Sequence, residues 1–205
     1  MKTIKGRRAV QAYYDNYYLD EHREYLSETR TAQEAKFLIK SLGREPSSVC
    51  DVGCGDGRHL KTFQQAGVAK GFGFDLSSKL VGLAKQNLSR NKNFVVENMS
   101  FTDWQPEQEA YDITYSVFSS FSYCLDFVEA QGLVGKMVSA TAAGGIICID
   151  VDSVFRLVRF LLKKVKHKET DELEFDAADM QLRAREERGG RDYRVTVALF
   201  RGTGV

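Results

Sequence analysis

The chain has 205 residues, of which 43% are hydrophobic and 28% are charged, and its formal net charge at pH 7 is +1. These values are typical of one globular domain with a sizeable core. The near-neutral charge gives no overall attraction to nucleic acid or to an anionic membrane. No run approaches the roughly 18 apolar residues of a membrane span, and no apolar stretch of a signal peptide follows the basic N-terminus. We therefore expect a cytoplasmic protein that does not bind nucleic acid.

The four cysteines are not arranged as metal ligands. Cys50 and Cys54 are close in sequence, but Cys124 and Cys148 do not form the second close pair that a zinc site requires. We expect reduced thiols and no bound metal.

The first 45 residues predict a helical cap. The stretch from Ala12 to Leu19 is dense in tyrosine, and Thr31 with Glu34 matches a capping box at a helix N-terminus. Apolar residues at helical spacing follow, and Gly43 predicts the end of this helix. We assign residues 1–45 to the cap and residues 46–205 to one α/β unit.

Strands and helices then alternate, which is typical of a parallel sheet covered by helices. The predicted strands are Ser48–Val52, Gly71–Asp75, Asn93–Glu97, Tyr111–Ser116 and Gly144–Asp150. Helices are predicted over 59–66, through Leu80 to Leu88 and over roughly 126–141. The glycine pair at 144–145 predicts the turn before the fifth strand.

The last 50 residues predict a helix over 154–168, with an apolar face on the sheet and its basic residues in water. The alternative is that these basic residues contact an acidic substrate or a membrane surface. Two strands, 180–187 and 193–200, are predicted to meet at Gly189–Gly190 in a hairpin. The chain ends directly after the second of them, which leaves a natural short form and a truncated form both open.

The segment after the first strand predicts a ligand-binding turn. Residues 50–58 read CDVGCGDGR, with glycines at every second position from Gly53 to Gly57. Such glycines let the backbone adopt positive φ and approach a ligand closely. A dinucleotide fingerprint of the GxGxxG type needs a glycine at position 58, where this chain has Arg58, and this argues against an NAD-dependent oxidoreductase. Asp75 ends the second strand about 20 residues further on, the spacing of a ribose-binding acid.

These residues resemble the first two motifs of the class I S-adenosylmethionine (SAM)-dependent methyltransferases, with Asp51 and the GxGxG turn as the first and GFDLS at 73–77 as the second. The resemblance spans residues 13–152. It implies SAM as cofactor and a Rossmann-like α/β sheet, mostly parallel with an antiparallel C-terminal hairpin and with helices on both faces. The residues implied to contact the cofactor are Asp51, Gly53, Cys54, Gly55, Gly57, Asp75, Leu76, Asn98, Met99 and Ser116.

Several of these roles have alternatives. Asp75 can accept from both ribose hydroxyls or cap the helix that follows it. The resemblance implies that Asp51 orients the turn or meets the cofactor's ammonium. Asn98 stands where members of the family usually have Asp beside the adenine amino group, and its carbonyl can accept from that group. Met99 lies against adenine or belongs to the core.

The acceptor side is predicted from aromatic residues. The stretch 111–123 resembles the segment that closes over the methyl group in small-molecule members of the family, and it contains Phe121 and Tyr123. It lacks the Asn/Asp-Pro-Pro-aromatic tetrapeptide of enzymes that methylate amide or exocyclic base nitrogens. Tyr14 and Tyr18 belong to a cluster that resembles an N-terminal lid. We take these four as substrate-pocket candidates, with simple packing as the alternative.

The sequence therefore predicts transfer of a methyl group from SAM to a small-molecule acceptor, at nitrogen or oxygen rather than carbon. The protein would mainly supply positioning and a dry pocket, and no catalytic base is assigned. His59 is interpreted as structural, and Asp150 and Asp152 as solvated or capping residues. The alternatives are RNA or protein methylation, and a cofactor-binding protein without turnover. The acceptor and the oligomeric state are left open.

Overall fold

The N-terminal part is helical, as predicted. The computed structural model describes residues 2–22, 26–88, 91–124, 126–151 and 195–196. The first three helices are α1 (Lys2–Asn16), α2 (Tyr18–His22) and α3 (Glu28–Leu42).

Helix α3 begins before the predicted position. Its N-cap is Ser27, whose hydroxyl oxygen accepts from the N–H of Arg30 at 3.3 Å. Thr31 lies inside the helix and donates its hydroxyl to the Ser27 carbonyl. The predicted capping box of Thr31 and Glu34 is therefore wrong, because Ser27 already serves as the cap one turn earlier. Gly43 ends the helix with φ of 77°, as predicted.

The strands form one sheet with helices on both faces. The strands are β1 (Ser48–Val52), β2 (Lys70–Asp75), β3 (Phe94–Asn98), β4 (Tyr111–Ser116), β5 (Thr141–Ile149) and β6 (Val195–Thr196). The helices among them are α4 (Arg58–Gln65), α5 (Ser78–Asn87) and α6 (Phe127–Ala140), with a short 3₁₀ helix at Ser120–Tyr123. The strand order is β3-β2-β1-β4-β5-β6. Every pairing among the described residues is parallel, which confirms a Rossmann-like α/β fold.

The predicted antiparallel hairpin is not supported. Ile147 pairs with Val195 and Cys148 with Thr196 in a parallel register. A Gly-Gly pair indicates a chain reversal but does not determine the strand with which the following segment pairs. The first predicted hairpin strand (180–187), the helix predicted over 154–168 and Asp152 lie outside the described residues.

The start of β5 also differs from the prediction. The strand begins at Thr141, and Gly144 lies within it at φ of 76°. The pairing of β4 with β5 shifts register between Tyr111 and Ile113. A Cβ on Gly145 would lie 2.7 Å from the carbonyl oxygen of Asp112. The glycine pair therefore allows a bulge inside the strand rather than forming the turn before it.

Two apolar clusters cover the two faces of the sheet. Leu38, Leu60 and Ala84, from α3, α4 and α5, belong to the first cluster, and Leu133 and Met137 of α6 belong to the second. Both clusters hold the central strands rigidly, so the loops that leave those strands start from fixed positions. Among the described helices, none is long and apolar enough to cross a bilayer.

Candidate active site

A cleft opens at the carboxyl ends of the central strands. The strand order reverses between β1 and β4, and open α/β sheets bind ligands at such a switch point. Most of the predicted site residues line this cleft: Asp51, Gly53, Cys54, Gly55, Asp75, Leu76, Met99, Tyr14, Tyr18 and Tyr123.

Four predicted residues lie elsewhere. Gly57 packs against α5, where a Cβ would lie 2.9 Å from the Cβ of Ala84. Ser116 is buried at the end of β4, and its hydroxyl has no hydrogen-bond partner among the described residues. Phe121 packs on the α6 side of the core. Asn98 is exposed at the end of β3, off the cleft wall.

The three glycines of the turn after β1 have different structural roles. All have positive φ: 84° at Gly53, 54° at Gly55 and 74° at Gly57. The N–H groups of Gly53 and Cys54 both donate to the carbonyl of Phe74, at 3.0 and 2.9 Å, which ties the turn to the end of β2. A Cβ on Gly53 would lie 2.7 Å from the Cβ of Ser120, whereas a Cβ on Gly55 would meet nothing within 4 Å. Gly55 therefore leaves the cleft open.

Asp75 is held in place by backbone donors. Its Oδ2 accepts from the N–H of Gly55 at 2.9 Å and its Oδ1 from the N–H of Ser77 at 2.8 Å. The N-cap of α5 is Ser77, whose oxygen accepts from the N–H of Leu80 at 3.1 Å, so Asp75 itself is not the cap. Burial raises the pKa of Asp75, and the backbone donors oppose that effect. Each carboxylate oxygen keeps acceptor capacity for a ligand.

Asp51 is a buried acid on the cleft wall. It is paired with Tyr115 across β1 and β4, and among the described residues neither its carboxylate oxygens nor the Tyr115 hydroxyl makes a hydrogen bond of ordinary geometry. Burial raises the pKa of Asp51 to about 7, against the opposing effects of nearby Tyr115 and Arg58. A buried carboxylate without a partner is costly, and a cationic ligand group in the cleft would compensate it.

Asn98 supports the rim of the cleft. Its amide nitrogen donates to the carbonyls of Asp75 at 2.9 Å and Leu76 at 3.0 Å. Met99 follows it on the cleft wall, and the Met99 N–H donates to the same Asp75 carbonyl at 3.1 Å. The ends of β2 and β3 are thereby joined around Asp75.

The tyrosines of α1 and α2 meet the segment after β4. The ring of Tyr14 lies 4.7 Å from that of Tyr18 and 5.3 Å from that of Tyr123, measured between centroids. Tyr18 and Phe118 are in edge contact at 6.3 Å. Burial raises the pKa of Tyr14 well above its ordinary value, so its hydroxyl stays neutral. An aromatic wall with neutral hydroxyls excludes water yet still offers hydrogen bonds.

Helix α1 is attached to both rims of the cleft by polar contacts. Near its start, Arg7 donates to Thr102 Oγ1 at 2.7 Å and pairs with Glu129 at 3.1 Å. Near its end, Asp15 accepts from the Ser77 hydroxyl at 2.5 Å. The helix therefore spans the cleft between β3 and α6 on one side and α5 on the other.

Phe118 and the role of Arg58 were not predicted from the sequence. Phe118 and Ser119 have φ of 58° and 60°, uncommon values for residues other than glycine. The ring of Phe118 lies 5.4 Å from the guanidinium of Arg30 and 5.0 Å from that of Arg58. Strained backbone of this kind tends to occur at ligand sites. The only signal in the sequence was the replacement of a glycine by Arg58.

His59 is hydrogen-bonded to the N-terminal helical cap of residues 1–45. Its Nε2 lies 2.8 Å from Glu34 Oε2, and Glu34 also accepts from Arg30 at 2.8 Å. Burial lowers the pKa of His59, so the neutral ring donates its Nε2–H to the carboxylate. Although partial burial opposes it, the hydrogen bonds from His59 and Arg30 lower the pKa of Glu34 to about 2. The pair links α3 to the start of α4.

Replacing Glu34 by Gln is expected to lower the free energy of unfolding by about 1–3 kcal/mol at pH 7, because it weakens two hydrogen bonds to a charged group. The lowered pKa means that this contribution is present above pH 4.5 and is lost as the pH falls towards 2. Urea unfolding at pH 7 and pH 3 measures it. The exposed Glu28 of the same helix is the control, and equal losses for Glu28→Gln and Glu34→Gln would contradict the prediction.

Comparisons with known proteins agree with this architecture. Residues 49–145 match the family described as "Methyltransferase domain". The chain is 26% identical over 137 residues to the dTDP-3-amino-3,4,6-trideoxy-alpha-D-glucopyranose N,N-dimethyltransferase of Streptomyces venezuelae, covering 67% of this chain and 54% of that protein. The chain therefore spans about half the length of this curated relative.

Two solved structures show the same fold. The SAM-bound amino pentose methyltransferase CalS10 from Micromonospora echinaspora has a TM-score of 0.57 at 20% identity, over 66% of this chain and 56% of that one. The magnesium protoporphyrin IX methyltransferase from Synechocystis PCC 6803 has a TM-score of 0.59 at 17% identity, over 79% and 80%. Residues 49–145 thus resemble a methyltransferase domain, and the chain shares the Rossmann-like α/β fold of these two solved structures.

Proposed function

We propose that this protein transfers a methyl group from SAM to a small-molecule acceptor at nitrogen or oxygen. The observation that carries the proposal is that two acids line the same cleft wall. Asp75 is oriented by the N–H groups of Gly55 and Ser77, and Asp51 is buried without a hydrogen bond of ordinary geometry among the described residues. A ribose diol needs acceptors and an ammonium needs an anion, so the donor set of SAM matches this wall.

The residues present fit the cofactor. Asp75 would accept from the ribose hydroxyls, Asp51 would face the ammonium, and Leu76 with Met99 would border the adenine. Gly55, with nothing within 4 Å of a Cβ, leaves room for the ligand at the backbone. When bound, SAM supplies an electrophilic methyl on a sulfonium, and the chain's own residues position the acceptor for an in-line displacement.

The aromatic side of the cleft would hold the acceptor. Tyr14, Tyr18 and Tyr123 exclude water from the reacting groups while their hydroxyls orient a polar acceptor. We propose that residues 1–45 act as a lid, because α1 is held across the cleft by polar contacts at both ends. The curated relative named as an N,N-dimethyltransferase of an amino sugar supports a nitrogen acceptor.

The free cysteines support a cytoplasmic location, which we also propose. Cys50, Cys54 and Cys148 are buried, and none of the described cysteines is in a disulfide.

Replacing Asp75 by Ala is expected to weaken binding of SAM or its product S-adenosylhomocysteine (SAH) by about 1.5–3 kcal/mol, since hydrogen bonds to a charged group are lost. Calorimetric titration of both ligands measures the effect. Asp56→Ala is the matched control, because Asp56 lies in the same turn but off the cleft wall. An unchanged affinity in Asp75→Ala would refute the ribose role.

Turnover separates an enzyme from a binding protein. The chain is incubated with methyl-labelled SAM and separate pools of amines, hydroxyl compounds, RNA and peptides. Label in an amine or hydroxyl compound supports the proposal. Binding of SAM without any methylated product, or label in RNA or peptide alone, contradicts it.

A further inference from the structure

Arg58 places a guanidinium in the cleft without an ion pair to any described residue. It opens α4 directly after the glycine turn, and its side chain lines the cleft. Its Nε atom is buried and makes no hydrogen bond within the described part of the chain. No carboxylate of the described residues forms an ion pair with the Arg58 guanidinium within 4.0 Å. Its neighbours are the Phe118 ring, at 5.0 Å, and the hydroxyl of Tyr18.

Arg30 shows how such a charge is normally compensated in this protein. It approaches the same Phe118 ring, at 5.4 Å, but it also pairs with Glu34 at 2.8 Å and does not line the cleft. Both arginines therefore have a cation–π contact, and only Arg30 also has an ion pair. Burying part of a guanidinium without an anion is unfavourable. The difference points to a ligand that brings the anion to Arg58.

We infer that Arg58 and the Tyr18 hydroxyl form a carboxylate-binding site in the cleft. A guanidinium presents a planar fork of donors that matches a carboxylate in a bidentate arrangement. Tyr18 is buried beside it on the lid and can donate its hydroxyl to the same group. Phe118, held by its positive-φ backbone, keeps the guanidinium in orientation. The inference rests on the proposed function, because it identifies a part of the same cleft.

The anion has two possible sources, the amino-acid end of the cofactor or an acid group on the acceptor. The cofactor is favoured by the position of Asp51. Asp51 and Arg58 both border the turn after β1 and are close enough for Arg58 to act on the pKa of Asp51. The Asp51 carboxylate and the Arg58 guanidinium are complementary in charge to an ammonium and a carboxylate carried on one carbon. A zwitterionic amino-acid end therefore satisfies both unpartnered groups at once.

The experiment compares two ligands. SAH carries the amino-acid end, and 5′-methylthioadenosine keeps the adenosine and the sulfur but lacks that end. Calorimetric titration of the whole chain is expected to give tighter binding of SAH. Arg58→Gln should lose about 10- to 100-fold in SAH affinity, the scale of a charged hydrogen bond, and little in 5′-methylthioadenosine affinity. Arg58→Lys should recover part of the loss, and Tyr18→Phe should show a smaller loss of the same selectivity.

Arg30→Gln is the matched control and should keep the wild-type ratio of the two affinities. If Arg58→Gln binds SAH normally, benzoate is titrated into the SAH-saturated proteins. Benzoate binding to the wild type but not to Arg58→Gln supports the site with the acceptor as the source. Normal SAH affinity with no benzoate binding that depends on Arg58 overturns the inference and makes Arg58 a packing residue.

The adenosine ligand also separates this inference from the proposed function. If the wild type binds 5′-methylthioadenosine and only the Arg58 effects are missing, the carboxylate site fails and the adenosine site stands. If the wild type binds neither ligand, the proposed function fails with it. Circular dichroism of each variant shows whether a lost affinity reflects a lost fold.

Discussion

Replacing Gly55 by Phe is expected to abolish SAH binding while the protein keeps its fold. A Cβ at this position meets nothing within 4 Å, so the new ring enters the open cleft rather than the core. The cost to the fold is the backbone strain of a non-glycine residue at φ of 54°, about 1–2 kcal/mol. Calorimetry measures the affinity, and circular dichroism with thermal unfolding measures the fold.

Two controls separate bulk from strain. Gly55→Ala has the same backbone strain but adds only a methyl group, so it should retain much of the affinity. Gly57→Ala should instead destabilise the fold, because its Cβ would lie 2.9 Å from the Cβ of Ala84 and force α4 and α5 apart. It should lower the melting temperature more than Gly55→Phe does. Normal SAH binding by Gly55→Phe would show that the ligand does not pass over this turn.

The second large effect is a fall in the free energy of unfolding with rising pH, caused by the buried Asp51. Its folded-state pKa of about 7 lies above the ordinary 3.8, so between these values the folded state binds more protons than the unfolded state. Stability from this group therefore falls as the pH rises from about 4 to 7. Each pKa unit corresponds to about 1.4 kcal/mol, which gives a loss of about 2–3 kcal/mol between pH 5 and pH 7.

Asp51→Asn removes this titration while keeping the shape of the side chain. The free energy of unfolding of the variant, relative to wild type, should rise by about 2–3 kcal/mol from pH 5 to pH 8. Urea unfolding at several pH values measures it. Saturating SAH should stabilise wild type more than the variant, because an ammonium in the cleft favours the carboxylate. A pH-independent difference between the two proteins would contradict the burial of an unpaired acid.

Asp112 is the matched control with the opposite sign. Although burial opposes it, the ion pair with Arg44 at 2.6 Å and the N–H groups of Ser47 and Ser48 lower the pKa of Asp112. Its contribution is present above the ordinary pKa and is lost as the pH falls below it. Asp112→Asn should therefore be less stable than wild type at neutral pH, and the difference should shrink in acid.

The sequence predicted the sheet well where the signal is local. β1 and β4 have the predicted bounds, and both are short segments that are buried along almost their whole length. The errors lie where a local pattern has two structural meanings. Thr31 with Glu34 fits a helix start, but Ser27 can cap the same helix one turn earlier. The glycine pair of β5 fits a turn, but it also fits a bulge between strands already in register.

In the candidate site, too, the features set by neighbouring residues were predictable and the long-range contacts were not. The sequence alone determined the positive-φ turn at Gly53–Gly57 and the acid that ends β2, since backbone freedom and the end of a strand depend on residues that are adjacent in sequence. Only the tertiary structure brought Arg58 to Tyr18 and Phe118, and Glu34 to His59. These contacts join segments far apart in the chain. They form because the N-terminal helices pack over the carboxyl ends of the strands, and burial there decides which charges have partners.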